Sequence, residues 1–367
     1  MQSKFALFVF LATLTLYFGA GSLGAVLFAG AWGRNTVDLD ISLIIYLIVA
    51  SIVVVSSLGQ NKKQPNYRFK RIQELKVWLI LFAISFPVVL MVQITGKTIP
   101  LYNIFSSIVI VTPAILLVSG SPRTALLIFA LVILTFALTS LRVHVVLAAL
   151  MFFTAYVFTG GKEFLRPAVA LCLVVVGISF LKSEISTEET SSELPFIVDL
   201  IGKLGGEWRD GIFVHDRLSD YELKLGWRAY IQSITTIVPA SGAMGLISYK
   251  DIYPNLIGTS LVKVSGLADK GYTGLRVGII WELYMMFGYL GVTVYGFLIG
   301  LIIRVVNGLR RCSLNLVISG FLLSACCYSV IGQIDFLFGV IISGMVSIVI
   351  LKAIVESLLL RRRRPYD

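Results

Sequence analysis

The chain has 367 residues, 57% of them hydrophobic and only 14% charged, and its mean hydropathy is +0.91. A soluble domain cannot enclose that much apolar surface. The 31 Lys and Arg against 20 Asp and Glu leave a net charge of +11, but the excess lies mostly in short loops that would meet anionic lipid headgroups. No soluble basic module is present to grip nucleic acid. What remains is an all-α polytopic membrane protein. Its apolar runs are of about 17–25 residues, enough for a helix to cross roughly 30 Å of hydrocarbon, and they lack the alternation of a membrane β-barrel.

In chain order, ten spans are predicted: 5–28, 39–59, 77–95, 101–119, 124–140, 144–160, 167–181, 278–303, 313–331 and 334–355. The first is too long for a secretory signal, and its small residues (GAGSLGAVLFAGA) suit close helix packing. The fourth is diluted by Asn103, Pro113 and several serines and threonines. Basic residues mark the short loops: the segment 60–76 (QNKKQPNYRFKRIQELK), Arg123, Lys162, Arg166, the NGLRR turn after Arg304 and the tail RRRR at 361–364. Cationic loops stay cytoplasmic, so one topology satisfies all of these, with both termini inside. Only Arg34, Lys97 and Arg142 then fall in short outer loops. The organisation is an N-terminal transmembrane bundle (1–181), a large outer loop (182–277), and C-terminal transmembrane helices with a basic cytoplasmic tail (278–367).

The outer loop is too long for a connector and should fold. It opens on STEETSSE (186–193), which reads as a solvated, flexible stretch rather than a cation site. PFIVDLIGKLGGEW (195–208) and YIQSITTIVPASGAMGLI (230–247) carry amphipathic patterns of helices lying on or dipping into the interface. Between them RDGIFVHDRLSDYELKLGWR (209–228) is charged and aromatic, as expected of a surface that faces water and handles polar ligands. Cys172, Cys326 and Cys327 fall in predicted spans and Cys312 at the cytoplasmic border, so no disulfide is expected. With His144 and His215 the only histidines, a zinc site is not expected either. No phosphate-binding Gly-rich loop, dinucleotide fingerprint or nucleophile elbow is found.

Cations gather on the outer side: Arg142 in TSLRVH (139–144), and Lys182, Arg209, Arg217, Arg228, Lys250, Lys263 and Arg276 in the loop. Arginine offers several fixed donors and a permanent charge, which suits a diphosphate, although a solvated or snorkelling side chain is the plainer reading of any one of them. Glu282 stands about one turn inside the eighth span, where interfacial water would reach it, and Trp281, Tyr284 and Tyr289 fit an aromatic belt. It is either a helix-start carboxylate favoured by the macrodipole or part of a polar site, as general base or organiser of cations. Gly288, Gly291, Gly296 and Gly300 suit close helix contact, with GFLIG a small-xxx-small motif.

In WELYMMFGYLG, residues Glu282, Tyr284, Phe287, Gly288 and Gly291 resemble the E-x-Y-x-N-F-G-x-x-G signature of Wzy-type oligosaccharide repeat-unit polymerases; Met286 replaces the asparagine. An outer Ser-Leu-Arg (140–142), a long outer loop and the aromatic-basic WRAYIQSITTIVP (227–239) precede the glutamate in the family's order, with Ala240 where a basic residue often follows the proline. The motif-level match runs from Arg142 to Gly300. The resemblance implies a bacterial inner-membrane, metal-independent glycosyltransferase of GT-C-like architecture, needing no cofactor. It would join undecaprenyl-diphosphate-linked oligosaccharides into O-antigen or a related surface polysaccharide at the periplasmic face.

Under that resemblance Glu282 is the base or positions it, and His215 is an alternative base. Arg142, Arg228 and Arg276 hold diphosphate oxygens with Tyr284 nearby, and Arg217 and Lys250 extend the cationic set. The expected partners are the lipid-linked donor and acceptor, membrane lipids and a chain-length regulator. A flippase or exporter of the same lipid-linked sugars, a ligase passing finished polymer to lipid A core, and a noncatalytic assembly subunit are the competing readings. Against transport, ionisable residues are scarce in the middle of the spans.

Overall fold

A computed structural model describes residues 4–27, 39–58, 75–95, 101–138, 142–159, 206–217, 227–238, 257–264, 275, 277–309, 313–332, 334 and 337–361. Regular structure among them is entirely helical. The helices of the N-terminal part are α1 (Phe5–Leu27), α2 (Asp40–Ser57), α3 (Leu75–Thr95), α4 (Tyr102–Val118), α5 (Pro122–Leu138) and α6 (Arg142–Phe158). Three short helices follow, α7 (Gly206–Asp216), α8 (Trp227–Thr235) and α9 (Ile257–Val264). Then come α10 (Ile279–Gly308), α11 (Ser313–Ile331) and α12 (Ser343–Arg361), the last entered through a π-helical stretch, Leu337–Ile342.

Phe5–Leu27, Asp40–Ser57, Leu75–Thr95, Ile279–Gly308 and Leu337–Ile354 are each long and apolar enough to cross a bilayer. Tyr102–Val118, Pro122–Ala137, His144–Val157 and Asn315–Ile331 are shorter apolar helices. The predicted span at 167–181 lies outside the described residues.

Two apolar lobes make up the interior. One gathers α1, α2, α7, α9 and α10; the other gathers α3, α4, α5 and α12; α6 and α11 give a face to each. The peripheral helices turn large apolar side chains outward, such as Phe8, Leu47, Ile84, Leu127 and Leu298. That exposure would be unfavourable in water and is the expected finish of a surface solvated by lipid. α4 is the reverse case. Ser106, Ser107 and Thr112 are buried in it with most of its apolar residues, and Asn103 Nδ2 donates to Gly339 O at 2.7 Å. Its diluted hydropathy therefore reflects a helix packed against protein. Thr112 Oγ1 bonds back to Ile108 O at 2.7 Å, so its hydroxyl needs no outside partner.

Contacts between helix ends fix which ends lie together. Ser22 and Ser42 hydroxyls join the end of α1 to the start of α2 at 3.4 Å. Ile279 N donates to the end of α11 at Gly332 O, 3.3 Å. Gln93 and Tyr102 link α3 to α4, and His144 at the start of α6 stacks on Phe136 at the end of α5, 5.0 Å between centroids. This is the loop end, because α7 is latched to it by Trp208 Nε1 donating to Ser42 Oγ at 2.8 Å. Lys76, Arg123 and Arg304 belong to the opposite ends of their helices, where Arg304 Nη2 also donates to Leu58 O at 3.1 Å.

The four glycines after Glu282 divide into two kinds. A Cβ on Gly296 would lie 3.3 Å from Ile52, and one on Gly300 1.7 Å from Ser56 Oγ, so this pair lets α10 lie against α2 as the small-xxx-small pattern predicts. Gly288 instead breaks α10. Its φ of 59° and ψ of −150° are non-helical and accessible essentially to glycine alone. Downstream of the break, a Cβ on Gly291 would lie 2.5 Å from Leu283 O of its own chain. Gly291 thus allows a close contact, with the carbonyl of Leu283 before the break, and lets the chain bend sharply. Tyr289–Gly308 alone is long enough for about 30 Å of hydrocarbon at 1.5 Å per residue, which leaves Ile279–Phe287 as a separate short helix carrying Glu282.

Candidate functional site

The site grows from two short helices that meet at the loop end. α7 has the sequence GEWRDGIFVHD, weakly hydrophobic on average, yet Trp208, Ile212, Phe213 and Val214 are all buried. Its charges at Arg209 and Asp210 pair with each other, Nη2 to Oδ1 at 2.9 Å. The water-facing surface expected over 209–228 is thus, across 209–214, a buried wedge between membrane helices. Gly211 makes the wedge fit, since a Cβ there would stand 2.4 Å from Trp281 Cγ.

On the facing helix Trp281 and Glu282 are each 1% exposed. This corrects two expectations. Trp281 is a core residue locked under α7 rather than part of an interfacial belt, and Glu282 is covered rather than wet. For Trp281 the cover is α7, whose Gly211 and Trp208 stand against the indole. The aromatic rings form a continuous series. Trp208 meets Trp281 edge-on at 5.9 Å, Trp281 meets Tyr284 at 6.1 Å, and Tyr284 meets the exposed Tyr289 at 5.2 Å.

His215, at the last turn of α7, closes the group. Its ring centroid is 5.5 Å from Tyr284 and 5.9 Å from Trp281. Asp216 Oδ1 lies 3.9 Å from its Nδ1, beyond hydrogen-bonding distance. Arg217 follows, its guanidinium carbon 5.8 Å from the Phe213 ring centre, a cation–π distance. An imidazole and a phenol therefore meet at one junction; the turn of Tyr284 also bears the Glu282 carboxylate, and the Arg217 guanidinium stands on Phe213 two residues after His215. The first three groups can exchange or hold protons, and the fourth can hold an anion.

The remaining sequence-derived candidates are not brought into that junction by any described contact. Arg142 opens α6, two residues before His144, whose ring packs with Tyr102 and Phe136 in the other lobe. Arg228 lies in the first turn of α8, and Lys263 ends α9 with its side chain exposed. Arg276, Lys250 and Lys182 lie outside the described residues.

Trp208 and Gly211 are structural determinants that sequence reasoning passed over. Neither carried a signal in that reading: Trp208 closed an amphipathic stretch, and Gly211 fell in the segment 209–228 read as facing water.

The fold and this junction define a helical membrane protein with an aromatic, ionisable cluster where a loop helix wedges among its spans. The chain matches no known protein family, and no characterised protein or solved structure matches it either.

Proposed function

We propose that the chain is a metal-independent membrane glycosyltransferase that joins oligosaccharide repeat units carried on a polyprenyl diphosphate such as undecaprenyl diphosphate. The observation that carries this reading is the meeting of His215 with Tyr284 on the turn that bears Glu282. Residues far apart in sequence, each singled out for proton or anion chemistry, meet at the loop end of a membrane bundle, where a lipid-linked head group would lie.

In the proposed reaction a sugar hydroxyl of the acceptor attacks the anomeric carbon of the donor. A carbon–oxygen glycosidic bond forms as the bond from that carbon to the diphosphate oxygen breaks, and the diphosphate leaves with the electron pair. The hydroxyl proton passes to Glu282 or to His215. Arg217, Arg142, Arg228, Arg276 and Lys250 together offset the charge that develops on the diphosphate. The aromatic side chains at the exposed edge, Tyr284 and Tyr289, give sugar rings a stacking surface. Ten spans, a GT-C-like arrangement, cytoplasmic termini and a periplasmic loop end complete the proposal. Lys76, Arg123 and Arg304 at the far ends of their helices favour that orientation.

The test is polymer length in cells carrying Glu282→Gln, His215→Ala or Arg142→Ala at wild-type protein abundance. Removal of a transition-state contact lowers rate by about 100-fold or more, so at least Glu282→Gln should leave short chains. Wild-type chain lengths in all three variants would overturn the assignment.

A further inference from the structure

α8 is amphipathic in the wrong sense for a helix in water. Ile231, Ile234 and Val238 are exposed at 56%, 54% and 45%. Ser233 on the opposite side is fully buried, and Gln232 and Thr236 are partly buried. Hydrogen bonds from Ile237 N to Ile234 O and Val238 N to Thr235 O extend the helical path to Val238. The polar residue on the outward side, Thr235, donates its hydroxyl back to Gln232 O at 2.7 Å. The outward face thus offers aliphatic surface, with its one hydroxyl already satisfied by the helix itself.

The depth of α8 is set by its neighbours. Thr236 approaches Gly339, where a built Cβ would lie 3.5 Å from Thr236 Oγ1. Gly339 belongs to the opening turns of the last membrane-crossing segment, Leu337–Ile354, and its carbonyl accepts from Asn103 at the start of α4. Leu101, just before Asn103, is itself exposed. α8 therefore sits at the level of the first turns of that membrane-crossing segment.

We infer that α8 is an interfacial helix docked on membrane lipid, with Ile231, Ile234 and Val238 sunk among phospholipid acyl chains and Gln232, Ser233 and Thr236 turned to the protein. A polar-in, apolar-out helix is stable only where hydrocarbon replaces water on its outer side, and burial to about 5–10 Å below the headgroup boundary is typical of such helices. The inference rests on the membrane class of the protein and is independent of the proposed reaction.

The test uses the full-length protein in phosphatidylcholine–phosphatidylglycerol nanodiscs with Cys172 and Cys312 replaced by serine; Cys326 and Cys327 are buried. An environment-sensitive fluorophore is attached at Ile234→Cys, Ile231→Cys or, as the inward comparison, Gln232→Cys. At 231 and 234, quenching by nitroxide-bearing lipid should exceed that at 232 several-fold, with iodide in the water quenching weakly. Strong iodide quenching at 231 and 234 without lipid quenching would overturn the inference. So would oxidative crosslinking of Ile234→Cys between two copies in native membranes, which would make the face a contact between chains.

Discussion

The ring of His215 lies 5.5 Å from the ring of Tyr284, across the seam where α7 meets the short helix that opens α10. Nothing local in sequence joins them. The seam exists because Gly211 has no side chain at the place where Trp281 lies, and because Trp208 ties α7 to Ser42 on α2.

Gly211→Ala tests the seam. The new methyl would stand 2.4 Å from Trp281 Cγ, so α7 or the indole must shift, and overpacking of this kind destabilises by about 1–3 kcal/mol. Thermal unfolding of the purified protein should move to lower temperature, and polymerisation should fall with it. Unchanged unfolding would mean that α7 is not wedged against Trp281.

Gly288 and Gly308 form a matched pair, since a Cβ at either meets nothing within 4 Å. They differ in backbone: Gly288 has a φ of 59° and Gly308 does not have positive φ. Gly288→Ala should destabilise by about 1–3 kcal/mol through strain alone, while Gly308→Ala should be neutral or stabilising by up to about 1 kcal/mol. Denaturation midpoints measured side by side check this, and equal effects would argue against the break in α10.

The contact between α10 and α2 makes a coupled prediction. Gly300→Ala forces its methyl into Ser56, whose Oγ would be 1.7 Å and whose Cβ 2.8 Å away. Ser56→Ala removes the nearer obstacle and leaves the farther one, so it should rescue part of the loss. A double-mutant cycle on unfolding free energy should give a coupling of about 0.5–3 kcal/mol, whereas strict additivity would separate the two residues.

Five of the ten predicted spans correspond to helices long and apolar enough to cross a bilayer, and these were legible because apolar run length maps directly onto bilayer thickness. The surroundings of Glu282 were not. Sequence placed it one turn into a span and so near water, but it is buried, and hydropathy cannot show that a weakly hydrophobic segment such as α7 folds back beside the same turn. Ile212 and Phe213 fell in a charged stretch read as facing water, because the sequence does not say what they meet. Gly288 looked like a packing glycine because a sequence carries no dihedral angle. α4 shows the opposite gap: Ser106, Ser107 and Thr112 weakened its hydropathy for the very reason that it is central. Of the proposed site, His215 meets Tyr284 on the turn that bears Glu282, whereas Arg217 stands on Phe213 and Arg142 opens α6 beside residues of the other lobe.

The claim of polymerisation is tested most directly by reconstituting the purified protein in liposomes with one defined undecaprenyl-diphosphate-linked repeat unit and separating the lipid-linked products by size. The proposal predicts a ladder of longer oligosaccharides on the carrier that is lost or strongly reduced with Glu282→Gln. Repeat units that cross the bilayer without lengthening would contradict it and identify a transporter.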